Sequence, residues 1–396
     1  MARTSLRRTA AAMVGMSLGV AACSPTPGGE SRQACTWTIG IMGALADELY
    51  EFGAAAARGV EIAVDLANEG GHLPCTLDTH SEDTDPEQRD PEEAPASARR
   101  LVEDDDLVAC VCGYFSDETS ATGDVFEQAG VAMLSTAEMS AIRESGFDTW
   151  FRLVTPVDRQ AKATGVYIRQ VFEPRRVAIV TPAQKMAYTE DVIDHIRATL
   201  RWRFQGPLIL LNPEESGVDD ASRQIRRMSP DVVFYAGYAP EQWELLRGMR
   251  DDYGLNMPFV TDGGAISGPQ GRIATARLRL SCACTDVAKI EGAEAFVAEY
   301  RARYDVDPQL FAADGFDGTN VVITALRQLS GSESTEEVRA HVVEYLDATD
   351  GVDGLVKRYA WDDQGELMTD NGDVWMWEWT RRRGFRMLGS VAELLG

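Results

Sequence analysis

The feature that most constrains this chain is a repeated alternation of short apolar strands with amphipathic helices, run through twice. "TWTIGIMG" (36–43) is an apolar strand closed by glycine, and "FGAAAARGVEIAVDLAN" (52–68) follows it. There Ala56, Val60, Ala63, Val64 and Ala67 recur on one helical face, and the "EGG" after it is a helix stop. "CTLDTHSED" (75–83), "LVACVCGYF" (107–115) and "VAMLST" (131–136) read as the next strands. A helix grows out of the acidic, proline-bearing stretch after Asp83, and another is expected from about Ala121 to Gln128. "WFRLV" then leads into a second series, with helices at 158–172, 189–201, 218–228 and 240–254. Its strands are 175–181, "PLILLN", 230–238, 257–264 and 278–284. Helices at 290–304 and 313–329 follow, and the tail alternates tryptophan with charged residues, as a hairpin does. Short apolar strands alternating with helices imply parallel sheets covered on both faces. Two series imply two doubly wound α/β lobes, whose ligand site lies at the carboxyl ends of the strands.

The length agrees: 396 residues exceed one ordinary core, and 44% hydrophobic content supports a packed interior. A net charge of −25 argues against nucleic acid as a partner, because phosphate binding needs a basic surface. The first residues carry Arg3, Arg7 and Arg8 before a short apolar run at 10–22, which has the form of a signal peptide. Two readings of its end remain: an ordinary cut after Ala22, or Val20-Ala21-Ala22-Cys23 as a lipobox that makes Cys23 the lipidated first residue. The Ser, Pro and Gly residues after Cys23 suit a flexible tether. No later apolar run approaches the 20 residues of a membrane span.

Seven cysteines less Cys23 leave six, an even number in an exported chain. Cys35 and Cys75 each begin an expected strand and are the first pair to expect. Cys110/Cys112 and Cys282/Cys284 have no histidine nearby and make a poor zinc pattern. Both burial as small strand residues and disulfide bonding remain open for them.

Enzyme constellations are missing. His72, His80, His195 and His341 are scattered, and neither a nucleophile elbow nor a phosphate loop occurs. No cofactor, metal or enzymatic activity is expected. What stands out is the set of strand ends: Ser116 and Thr119 in "GYFSDETSAT", Ser135, Thr136 and Ser140 in "LSTAEMS", Tyr188 before a helix, and Tyr238 and Asp262 after strands. Singly these read as caps, packing or turn residues; together they lie at one edge of two sheets.

The order and spacing of "IGIMGAL", "FGAAAARGVEIAVDLANEGG", "RLVEDDDLVACVCGYFS", "FEQAGVAMLSTA", "RRVAIVT", "PDVVFYAGYAPEQWELLRGMR", "FVTDGG", "FVAEYRARYDVDP" and "DGFDGTNVVITAL" resemble the branched-chain amino acid type of substrate-binding protein of ABC transporters. The resemblance implies a type I periplasmic binding protein fold, two Rossmann-like lobes joined by three crossing segments and closing on ligand by a hinge. It implies that Ser116 and Thr119 hold an α-carboxylate, that Ala137 and a hydroxyl near Met139 or Ser140 assist, and that Tyr188, Tyr238 and Asp262 receive the α-ammonium. Phe52 would cover the side chain. Glu138 and Met139 depart from the small and hydroxyl residues expected there, and an inward Glu138 favours a basic or amide group.

The expected organisation is a signal at 1–22, a lipidated tether at 23–35, lobe 1 at 36–152 and 286–351, and lobe 2 at 153–285 and 352–396. The expected function is extracytoplasmic capture of an amino acid or related small polar solute for an ABC permease and ATPase, by a monomer anchored to the membrane through Cys23. The alternative is a ligand sensor of the same fold that signals to a partner.

Overall fold

The apolar run Thr36–Gly43 forms strand β1, almost wholly buried because neighbours pair on both its edges and helices cover its faces. The computed structural model describes residues 35–45, 51–84, 93–184, 186–201, 206–212, 217–238, 241–263, 277–368, 374–380 and 384–396, without the side chains of Glu51 and Phe52. After β1 come α1 (Glu51–Gly70), β2 (Thr76–Asp83), α2 (Glu93–Val102), β3 (Leu107–Cys112), α3 (Ser116–Ala129), β4 (Ala132–Ser135) and β5 (Trp150–Arg152). Their strands make a parallel sheet of order β2-β1-β3-β4-β5. The chain then crosses to a second series. It runs α4 (Val157–Val171), β6 (Val177–Pro182), α5 (Ala187–Leu200), β7 (Ile209–Leu211), α6 (Gly217–Met228), β8 (Val232–Tyr235), α7 (Glu241–Arg247), β9 (Phe259–Thr261) and β10 (Leu278–Cys282). A π turn at Gly248–Asp252 extends α7.

A second crossing leads to α8 (Glu294–Tyr304), α9 (Ala312–Leu326) and α10 (Thr335–Ala348). Of these, α8 and α9 pack on α1, and α10 packs on α9 and β3. The close α1–α9 contact needs glycine at two points. A Cβ on Gly59 would meet the Ala312 carbonyl, and one on Gly315 would meet the Ala56 carbonyl. A third crossing, through β11 (Val352–Asp353) and β12 (Arg358–Tyr359), reaches β13 (Trp375–Thr380), β14 (Gly384–Ser390) and α11 (Val391–Leu395). The hairpin β13–β14 joins the second sheet edge-on, giving the order β14-β13-β10-β9-β8-β6-β7. The chain is thus an α/β fold of two lobes, each a mainly parallel sheet with its helices.

Helices α3 and α10 differ from the sequence expectation. Helix α3 begins at Ser116 rather than near Ala121, because the Ser-Asp-Glu-Thr stretch that resembles a loop forms its first turn. Helix α10 was not anticipated, although Ser334 and Glu337 form a reciprocal capping box at its start.

The sulfurs of Cys35 and Cys75 stand at bonding distance, with Cα atoms 4.8 Å apart, where β1 and β2 begin. Cys110 and Cys112 lie two residues apart on β3, so their side chains share one face and their sulfurs also meet. Cys282 and Cys284 meet likewise at the end of β10. Among the described residues no helix is long and apolar enough to cross a membrane, and no group of residues could hold a metal ion. Cys23 and the tether lie outside the described residues.

Candidate ligand-binding site

The carboxyl ends of the strands of both sheets converge on one narrow cavity, lined by Tyr114, Phe115 and Ser116 after β3 and by Thr136 and Glu138 after β4. The facing lobe adds Tyr188, Tyr238 and Gly263, and Phe311 closes one side. A wider, open depression between the end of α3 and α10 lies at the opposite ends of the strands and holds none of these groups.

Ser116 enters the cavity from the first turn of α3, whose N-cap, Phe115, makes no side-chain cap. The positive end of the helix dipole at that turn suits an anion. The Ser116 hydroxyl accepts a hydrogen bond from the Met139 amide (3.1 Å), which leaves its proton for a ligand. Thr119 sits one turn further on and is fully buried. Its hydroxyl lies within hydrogen-bond distance of the Gly113 and Phe115 carbonyls and the Ser135 hydroxyl, so it braces the loop instead of lining the cavity.

The segment after β4 is held from behind. The guanidinium of Arg152, fully buried, pairs with Glu366 at 2.8 Å and donates to the carbonyls of Ala137 and Met139. It also lies over the Trp150 ring, 4.6 Å from its centroid. Ala137 and Met139 therefore serve the scaffold: their side chains pack in the core of the first lobe and do not line the cavity. Ser140 links the lobes. Its amide donates to Asp191 Oδ2 at 2.7 Å, and its hydroxyl accepts from the Asp158 amide at 3.1 Å.

Glu138 alone of this segment turns a charged group to the cavity. It is buried, and the Tyr188 hydroxyl donates to its Oε2 at 3.2 Å. Burial pushes its carboxyl up from 4.5 to about 7, against the opposing pull of Gln160, Tyr188, Arg152 and Lys357. Tyr188 stacks on Tyr238 with ring centroids 5.4 Å apart, and Phe115 meets Tyr238 edge-on at 5.9 Å. Burial, then the charges of Asp262 and Glu138, hold the Tyr188 phenol well above its usual range, so it acts as a donor.

Asp262 is buried beside a small adjoining cavity that it lines with Gln160, Thr164 and Ser281. Tyr188 lines both spaces. Of the residues expected at the site, the structure brings Ser116, Glu138, Tyr188 and Tyr238 onto one cavity and places Asp262 next to it. Phe52 falls in the first turn of α1, and its side chain lies outside the described residues. The wall residues Tyr114, Phe115 and Phe311 were missed. The first two are adjacent to Ser116 in the quoted strand-end segment, whereas Phe311 comes from a distant loop with no sequence signal.

Residues 36–382 match the family described as periplasmic binding protein. The leucine-specific-binding protein of Salmonella typhimurium is 26% identical over 358 residues, covering 86% of this chain and 90% of that protein. An amino acid binding protein of Pseudomonas aeruginosa is 23% identical over 309 residues, covering 73% and 76%. Among solved structures, the branched-chain amino acid transporter substrate binding protein LivJ of Streptococcus pneumoniae, in complex with isoleucine, superposes with a TM-score of 0.72. It is 19% identical, with 90% of this chain and all of that one covered. Two doubly wound lobes, a cavity between their strand ends and a match along nearly the whole chain converge: the protein belongs to the periplasmic binding protein family, whose members bind solutes and are not enzymes.

Proposed function

We propose that the protein captures an amino acid or related small polar solute outside the cytoplasm and delivers it to an ABC importer. The observation that carries this reading is the cavity itself, with a hydroxyl, a helix N-terminus and the Glu138 carboxylate on one lobe and a tyrosine pair beside Asp262 on the other. In this reading the ligand carboxylate meets Ser116 and the first turn of α3, and its ammonium meets the Tyr188 and Tyr238 rings in the field of Glu138 and Asp262. A zwitterion stripped of water needs both kinds of partner. Closure of lobe 1 (36–152 and 286–351) on lobe 2 (153–285 and 352–396) then buries it. Phe52 covers the ligand side chain, and Thr119, Ala137, Met139 and Ser140 hold the walls. Two of the relatives are named for the amino acids they bind, and a third for its part in branched-chain amino acid transport. Anchoring through a lipid on Cys23, action as a monomer and delivery to permease and ATPase subunits complete the proposal.

The test is a thermal-shift panel of amino acids, amides and amines on the purified protein. A ligand at about 100 times its dissociation constant stabilises by about 2.7 kcal/mol. A clear shift with one chemical class supports capture, and a panel without any shift opposes it.

A further inference from the structure

We infer that the cavity selects an aliphatic ammonium compound with net positive charge, and that Glu138 is the side chain that makes this selection. The inference rests on the capture reading and narrows its ligand class. Glu138 brings a carboxylate into the cavity, and no lysine, arginine or histidine occurs among the residues described as lining it. The two cations behind it are already engaged. Arg152 pairs with Glu366 at 2.8 Å and holds two carbonyls, while Lys357 pairs with Asp314 at 2.7 Å and donates to the Leu153 carbonyl at 3.1 Å. The Glu138 carboxylate also reaches the second lobe: a Cβ on Gly263 would lie 3.6 and 3.8 Å from its two oxygens. A ligand between the lobes therefore meets it.

The rest of the wall suits the same cation. Tyr114, Phe115, Tyr188, Tyr238 and Phe311 surround the space with π systems, which attract an ammonium electrostatically, most strongly when both are out of water. Phe311 is held at φ 69°, a left-handed conformation that a bulky residue adopts only under constraint, and its ring forms wall. A branched aliphatic amino acid brings a single ammonium, which the tyrosine pair and Asp262 of the second lobe already attract, so the Glu138 carboxylate of the first lobe would lack a cation of its own and would have to take up a proton or oppose binding. A ligand ammonium supplies the missing charge. The cation is carried either on an amino acid side chain or by an amine lacking a carboxylate.

Calorimetry of the purified protein at pH 8 with two matched pairs separates these sources: ornithine against norvaline, and choline against 3,3-dimethyl-1-butanol. The expected result is that at least one cationic member binds ten times or more tighter than its neutral counterpart, and that Glu138→Gln lowers this ratio at least tenfold. Tyr238→Leu, which keeps the carboxylate and removes a ring, lowers it severalfold. A readout independent of any variant is pH. Glu138, faced by Tyr188, Gln160, Arg152, Lys357 and the nearby Asp262, must be ionised to receive a cation. Affinity for the cationic member then falls by about tenfold per unit on acidification below pH 7, while that of the neutral member does not. Neutral members that bind as tightly as cationic ones, a ratio unmoved by Glu138→Gln, or a neutral ligand from the wider panel binding where all four fail would each overturn the selection and leave capture standing. No binding by any solute would overturn both.

Discussion

The Tyr188 hydroxyl donates to the Glu138 carboxylate at 3.2 Å, and this bond joins the second lobe to the first across the ligand cavity. It couples a residue of α5 to one in the segment after β4, fifty positions away in sequence. The carboxylate is buried, and its ionisation is opposed by desolvation.

That opposition has a pH signature. Glu138 titrates near 7 in the folded protein and near 4.5 in the unfolded chain, so the folded state holds more protons between these values. The stability linked to it is present below about pH 4.5 and is lost as pH rises to about 7. Glu118 and Asp317, also buried and raised to about 7, act in the same direction. Each contributes a slope of at most about 1.4 kcal/mol per pH unit. Glu138→Gln is expected to flatten the decline of ligand-free stability between pH 4.5 and 7 by one such share, measured by urea unfolding. An unchanged slope would remove Glu138 from the titrating groups.

The Arg152–Glu366 pair is wholly buried and fixes the backbone of the Glu138 segment. Arg152→Met leaves the Glu366 carboxylate without its cation and is expected to cost about 3–5 kcal/mol. The double change Arg152→Met with Glu366→Met should cost less. A loss in the double variant equal to the sum of the losses in Arg152→Met and Glu366→Met alone, measured by urea unfolding, would show that the pair is not coupled.

Cys35 and Cys75 stand at bonding distance where β1 and β2 begin, 40 residues apart in sequence. Replacing both by serine is expected to lower stability by about 2–4 kcal/mol, mostly through the freer unfolded chain. Equal unfolding midpoints with and without reductant in the wild type would show that the bond does not form.

Cys23→Ser is expected to release the protein from membranes without changing its solute affinity. Fractionation that still finds the variant with membranes would oppose lipid anchoring through that residue.

The sequence made the architecture legible where local pattern and tertiary role agree. The run 36–43 is apolar or glycine at every buried position but Thr38, and the 52–68 helix packs against α9. The start of α3 was hidden because serine, aspartate and threonine favour loops and first turns alike. In the site, Ser116, Tyr188 and Tyr238 were legible because strand ends of doubly wound sheets converge. The orientation of Glu138 was not determined by sequence, since it depends on the Arg152–Glu366 contact across 214 positions and on Tyr188. Thr119, expected in the loop after β3, lies in α3 and turns inward, because the carbonyls of Gly113 and Phe115 and the Ser135 hydroxyl offer it nearer partners.

The most direct test of the account is calorimetric titration with the solute that gives the largest thermal shift, on the wild type, Ser116→Ala and Tyr238→Leu. Capture between the lobes predicts one solute per chain and a loss of roughly tenfold or more in affinity in each variant, the worth of a hydrogen bond to a charged group or of a desolvated cation–π contact. One-to-one binding with wild-type affinity in both variants would place the solute elsewhere and contradict it.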